Sequence, residues 1–323
     1  GIAAACIYIG LTIAPAVGGW LTEAWGWRSV FLFQVPIVLA LLLLIKMRLS
    51  GEWKNAEKSK YDWWGTAIFA MFASALVYGL SLLPNMLGVL MLIISAVSLA
   101  LFVVHQSRSR RPLIRVQMFR ESRLFSMSLT TSLLMYGSNF PLVFLMSLYL
   151  QYVKGFSPSH AGQIILLQAL TMAIIAPFSG KLADRFEPRL IATLGCAIVA
   201  CGLLVLSLMN TETSATYIAS ALLLIGLGFG LFSTPNNNAI MGATHPNEVG
   251  VASASMNLAR TIGNLIGMSL VNLMVHYYLG DAQFSSEQNP ALILTVELAL
   301  NMSLAFVVLA CVSSWFRGRA HPR

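Results

Sequence analysis

The chain has 323 residues, of which 57% are hydrophobic and only 10% charged, and it carries a formal net charge of +8. A soluble domain has about 25% charged residues. This composition, with a mean hydropathy of +0.76, excludes a soluble enzyme, a nucleic-acid binder and a disordered chain. What remains is an integral membrane protein.

A bilayer-crossing helix needs about 20 mostly apolar residues. Runs of that size fall at 2–21, 29–47, 63–83, 87–105, 124–151, 160–180, 189–209, 216–235, 249–275 and 291–316. They are long and continuous, with no strict polar–apolar alternation, which favours helices over a barrel. The sequence thus predicts an all-α protein of about ten transmembrane helices. The chain opens at Gly1 inside the first run, with no initiator Met and no basic leader, and reads as a piece lacking its natural start.

The first run contains Gly10, Ala14, Pro15, Gly18 and Gly19. Small residues let neighbouring helices approach closely, and the proline frees a carbonyl and bends the helix. Basic residues then cluster after the second, fourth, sixth and tenth runs. Positive charge is held on the cytoplasmic side, and one threading with both termini of the chain inside places 17 of the 20 Lys and Arg residues there. Only Arg28 and Lys154 fall outside, and Arg260 lies within the ninth span. The stretches 51–62 and 105–123 are cytoplasmic linkers that set off the third and fourth spans as a separate hairpin.

In the fifth span Tyr136, Phe140, Val143, Ser147 and Gln151 share a face, and Asn139-Phe140-Pro141 suggests a kink. An aromatic, amide-lined face suits amphipathic ligands, although the same aromatics serve equally as packing bulk. Between the sixth and seventh spans stands Gly180-Lys-Leu-Ala-Asp184-Arg185-Phe-Glu187-Pro188-Arg189. Asp184 is expected near the start of the helix opened by Pro188, where negative charge is favoured, with Arg185 and Arg189 as partners. In the eighth span Gly226-Leu-Gly228-Phe-Gly230 lacks a dinucleotide spacing and reads as helix packing.

The ninth span holds Ser253, Asn257, Arg260 and Asn264 at near-helical spacing, a polar stripe beside Gly263 and Gly267. The tenth holds Glu297, with Asn301 one turn further on. Charge inside a membrane marks function by default. Glu297 is a candidate proton carrier, with surface snorkelling or a static pairing with Arg260 as the competing readings. Arg260 is expected to be a structural or gating charge rather than a direct ligand. The four cysteines, Cys6, Cys196, Cys201 and Cys311, lie in apolar runs and read as small hydrophobes. The histidines have no metal-ligand spacing, so no metal and no other cofactor is expected.

Two of these segments carry a family resemblance. Gly10-Leu-Thr-Ile-Ala14-Pro15-Ala-Val-Gly18-Gly19 resembles the antiporter motif of drug:proton antiporters in the major facilitator superfamily, with Ala14 where the pattern has glycine. The Gly180–Arg189 loop resembles the superfamily's cytoplasmic loop signature, with Glu187 at a usual glycine. The resemblance implies a truncated member of the fourteen-span branch, with a two-bundle fold. Residues 1–50 would be the last two helices of the N-terminal bundle, 51–122 the linkers and extra hairpin, and 123–323 the six-helix C-terminal bundle.

It also implies a function. The expected protein is a secondary transporter, not an enzyme, that exports small amphipathic compounds or drugs in exchange for protons by alternating access. The alternatives are a transporter of the same fold dedicated to one metabolite, and a non-transport membrane receptor. Its partners would be a small-molecule substrate, protons and the lipid bilayer, without nucleic acid, and a monomer is the expected state. The expected location is the cell membrane, as a multi-pass protein of the bacterial inner membrane. Cysteines placed at Lys58 and Arg111 should be labelled only from the cytoplasm, and one at Gln288 only from outside. Labelling of Arg111 and Gln288 from the same side would overturn this topology.

Overall fold

The computed structural model describes residues 24–48, 62–109, 112–280 and 289–318, together with Gly10, Val17, Gly18 and Leu21. Nine helices among the described residues are long and apolar enough to cross a membrane. They are α1 (Arg28–Arg48), α2 (Trp63–Ser81), α3 (Met86–Arg108), α4 (Arg123–Leu148), α5 (Pro158–Arg185), α6 (Pro188–Ser207), α7 (Ala215–Gly242), α8 (Val249–Leu279) and α9 (Asn289–Phe316). Each matches a span read from the sequence. Of the first expected span, only Gly10, Val17, Gly18 and Leu21 are described; Ala14, Pro15 and Gly19 lie outside the described residues.

Local sequence explains the helix starts. Asp62, Asn85, Ser122, Ser157 and Ser214 each accept a backbone N–H of the first turn, at α2, α3, α4, α5 and α7 respectively. Pro158 and Pro188 open α5 and α6, where a missing N–H costs nothing. Asp62 also takes hydrogen bonds from His105 Nε2 at 3.0 Å and Gln106 Nε2 at 2.9 Å, tying the start of α2 to the end of α3. The Gly65 amide, then these side chains, hold its carboxyl below the usual range despite an opposing burial effect. Contacts in between fix the rest of the hairpin: Ser95 donates to the Phe72 carbonyl, and Phe69 packs on Phe72 and Phe102.

Helices α4 to α9 form a bundle with a continuous core that includes Met135, Leu145, Tyr149, Cys196, Leu203, Phe229, Phe232, Leu300 and Val307. Neighbours alternate in direction, as cross-links at the two ends show. At one end Tyr149 Oη donates to the Asn210 carbonyl at 2.6 Å and Lys154 to that of Thr211. At the other, basic end, Arg189 lies over Trp315, Arg317 reaches Asn236, and Arg115 pairs with Glu248. The linker before α4 joins that end through a short helix, Gln117–Glu121, whose Met118 is buried against Phe125 and Ile240.

Two crossings are close enough to exclude a Cβ. Gly195 and Gly228 face each other across α6 and α7, where a Cβ on either would sit 2.6 Å from the other's carbonyl oxygen. A Cβ on Gly263 or Gly267 of α8 would collide with the carbonyls of Leu133 and Gly137 on α4. Pro141 withdraws the N–H that would otherwise satisfy the Gly137 carbonyl, so the freed oxygen is the one that abuts Gly267. In α7, Pro235 frees the Leu231 carbonyl in the same way, and Ser179 Oγ donates to it at 3.0 Å. Gly226 and Gly230 press on α5 while Gly228 presses on α6, so the glycine run packs helices, as its position in a span suggested.

By contrast, α1 has no buried residue. Gly267→Val should separate α4 from α8 and cost about 1–3 kcal/mol, the range for overpacking. Gly250→Ala, whose new Cβ would meet nothing within 4 Å, should instead stabilise by up to about 1 kcal/mol at an exposed helical site. Thermal unfolding of the purified full-length variants in detergent checks both, and equal losses would contradict the close crossing.

Candidate functional site: a polar face at mid-membrane depth

The α4–α8 crossing brings two side chains together beside the glycines. Arg260, next to Gly263 on α8, has its guanidinium carbon 5.0 Å from the ring centre of Tyr136, the neighbour of Gly137 on α4. Arg260 Nη2 also donates to Asn237 Oδ1 of α7 at 2.9 Å. Tyr136 in turn meets Phe229 edge-on, with ring centres 5.1 Å apart. Arg260 follows Val249, the first residue of α8, by about 16 Å at the helical rise, near the middle of a bilayer. A ring face and an amide oxygen are what a guanidinium accepts in a low-dielectric setting.

Amides extend this polar face. Gln168 Nε2 of α5 donates to Asn139 Oδ1 of α4 at 2.6 Å. Three buried atoms, Arg260 Nε, Asn264 Oδ1 and Gln168 Oε1, have no hydrogen-bond partner among the described residues. Along α8, Ser253, Asn257 and Thr261 follow one another at helical spacing beside Arg260, the first half-buried and the other two exposed. Lipid tails do not solvate such a stripe; polar groups at this depth face protein or a water-filled cavity.

A second polar cluster lies at the basic end. Arg317, just past α9, is fully buried. Its Nη1 donates to Asn236 Oδ1 of α7 at 2.8 Å and to Ser128 Oγ of α4 at 3.3 Å. Asn236 Nδ2 donates to the Ser128 carbonyl at 3.1 Å and to Ser132 Oγ at 2.8 Å. Burial lowers the Arg317 pKa to about 10, which leaves it charged at neutral pH. One arginine therefore ties α9 to α7 and α4 through neutral groups.

The sequence expectations divide against this geometry. Arg260 and Tyr136 are brought together, and Asn139 meets Gln168. Asn257 is exposed on the same helix as Arg260. The expected common face of the fifth span splits: Tyr136 turns toward Arg260, whereas Phe140 is 53% exposed. Gln151 bonds back to Ser147, in a π-helical turn, Tyr149–Val153, that shifts the register of the helix end. Glu297 is exposed on α9 and lines a small crevice with Tyr149, Ser207 and Val296, apart from the contacts of Arg260.

In the loop signature, Asp184 lies in the last turn of α5 and is exposed, as is Arg185. The carboxylate at the start of α6 is instead Glu187, whose Oε1 is 3.4 Å from Arg189 Nε. The expectation for Asp184 is corrected because α5 runs on through Arg185. Phe186 and Glu187 have φ of −122° and −58°, so this turn has no need of glycine. Gly180 is buried within α5. Gly10 and Gly18 are helical, and a Cβ on either would meet nothing within 4 Å.

Two polar groups that join the helices are not evident from sequence position alone. Sequence position makes Arg317 only a tail charge, and the three consecutive amides Asn236-Asn237-Asn238 fall just past the apolar run 216–235, where they read as a loop. Asn236 and Asn237 point to different helices, and Asn238 is exposed.

Residues 1–268 match the Major Facilitator Superfamily, and the chain belongs to that family. It is similar to the multidrug resistance protein Stp of Mycobacterium tuberculosis, with 30% identity over 284 residues, covering 86% of this chain and 52% of Stp. The riboflavin transporter RibZ of Clostridioides difficile is 27% identical over 271 residues, covering 83% of this chain and 58% of RibZ. The multidrug efflux pump LfrA of Mycolicibacterium smegmatis is 30% identical over 270 residues, covering 82% of this chain and 53% of LfrA. The chain thus spans little more than half the length of these relatives.

Asn236→Ala should be more damaging than Arg317→Met. The first leaves a buried cation without its best acceptor, at about 3–5 kcal/mol, whereas the second removes the charge itself. Thermal unfolding of both variants and the double variant checks this. A double variant less stable than Asn236→Ala would contradict the proposed coupling.

Proposed function

We propose that the protein of which this chain forms most of the C-terminal part is a secondary exporter of small amphipathic compounds, driven by protons. The observation that carries this reading is the polar, aromatic-lined face around Arg260 and Tyr136 at mid-membrane depth. Similarity to proteins named for multidrug resistance and efflux supports it. A dedicated single-metabolite transporter is the second reading, favoured by the similarity to RibZ.

In this reading α4 to α9 are the C-terminal bundle, α2 and α3 the extra hairpin, and α1 with the preceding residues the end of the N-terminal bundle. Substrate would enter the groove between the two bundles, against Tyr136, Asn139, Phe140 and Asn257, and rocking of the bundles would expose it to either side. Gln151, held by Ser147 at the far end of α4, would edge that groove. Gly10, Ala14, Pro15, Gly18 and Gly19 would form the antiporter-type helix contact. Gly180, Asp184, Arg185 and Arg189 would act at the cytoplasmic gate. The basic end of the bundle faces the cytoplasm, which puts both termini of the chain on that side of a bacterial inner membrane. The transporter works as a monomer, since both bundles come from one polypeptide.

Proton coupling needs a titrating group at depth. Glu297 is the one carboxylate placed well inside a span among the described residues, about 12 Å along α9 at the helical rise. Glu297→Gln in the full-length protein should weaken pH-gradient-driven dye efflux and flatten its pH profile while leaving dye binding unchanged. A wild-type rate and profile in that variant would move the proton site elsewhere in the protein.

A further inference from the structure

We infer that Arg260 is the recognition group for substrates that carry an anionic group beside an aromatic ring. The inference rests on the transport reading and narrows it to a substrate class. It starts from a charge imbalance. Arg260 lies near mid-membrane, held by one amide oxygen and one tyrosine ring, both neutral. No carboxylate pairs with it among the described residues, and the one acid deep in a span, Glu297, lines a crevice with Tyr149 and Ser207 instead. Arg317 is likewise held by neutral groups but is fully enclosed, whereas Arg260 is only half-buried, so an arriving anion can reach it and supply the counter-charge.

The surroundings point to where that anion comes from. Asn257 and Thr261 flank Arg260 on the exposed side of α8, and half-buried Ser253 continues the polar stripe by one turn. The guanidinium therefore borders a surface that water or a polar ligand occupies, not lipid. Stacking on Tyr136 fixes the guanidinium plane, and Nε has no partner among the described residues. A planar, fixed guanidinium with free N–H groups is suited to a carboxylate or sulfonate, which it can bind in a forked geometry. Tyr136, half-buried, supplies a ring for the aromatic part of such a ligand.

The competing occupant is a carboxylate from another part of the same protein, in which case Arg260 is a structural charge that every substrate depends on. Two fluorescent aromatic probes of opposite charge separate these cases: anionic 8-anilinonaphthalene-1-sulfonate and cationic ethidium. Their export is measured in everted vesicles containing the full-length protein, at matched abundance. Wild type should export the anion. Arg260→Gln should lower anion export about tenfold or more relative to ethidium export, the loss expected for a charge-assisted hydrogen bond. Arg260→Lys should keep part of the anion activity, because it retains the charge and loses the fork.

Equal loss of both probes in Arg260→Gln, or no loss of anion export, overturns the inference. If wild type exports ethidium alone, the inference fails and the transport reading stands. Export of neither probe sinks both.

Discussion

The close crossing of α4 and α8 governs the rest of the site. Gly263 and Gly267 let two helix backbones meet at carbonyl distance, and Pro141 supplies the unsatisfied Gly137 oxygen at the point of contact. Only at that separation does Arg260 reach the Tyr136 ring from one helix to the other. A wider crossing would leave the guanidinium in a hydrocarbon gap, where an ion without neighbours is unstable. Backbone packing and side-chain electrostatics are thus set by the same three glycines.

Two arginines in this bundle solve the same problem in opposite ways. Arg317 is enclosed at the basic end, where its neutral partners Asn236 and Ser128 come from two other helices of the bundle. Arg260 has one comparable amide, Asn237, but lies beside an exposed polar stripe. The neighbouring residues Asn236 and Asn237 serve the two arginines, because successive residues on a helix point about 100° apart. The bundle therefore joins a locked end to an open middle through one short stretch of α7.

The helical framework was legible in the sequence because the bilayer imposes length and apolarity together, and α1 to α9 follow the expected runs. The depth of Arg260 was legible for the same reason, since a charge so far into an apolar run stands out. What sequence could not supply was pairing across helices. Arg317 looked like one more topology charge because it follows the last apolar run, and only packing against α4 and α7 buries it. Asp184 was misplaced because α5 continues for a turn past the apolar segment, a continuation permitted by an exposed helix end. The π-helical turn after Leu148 broke the helical periodicity on which the Gln151 expectation rested.

The link between Arg317 and Ser128 has a consequence for biosynthesis. The two residues are separated by 189 positions, and Asn236 and Arg317 by 81. At a translation rate of about 5–20 residues per second, α4 waits about 10–40 s in or near the membrane before the last helix arrives to join it. For about the last 4–16 s of that interval Asn236 is present but its Oδ1 lacks its charged donor. Arrival of α9 supplies that donor, so the polar contact between α4 and α7 is completed only when the last helix is in place.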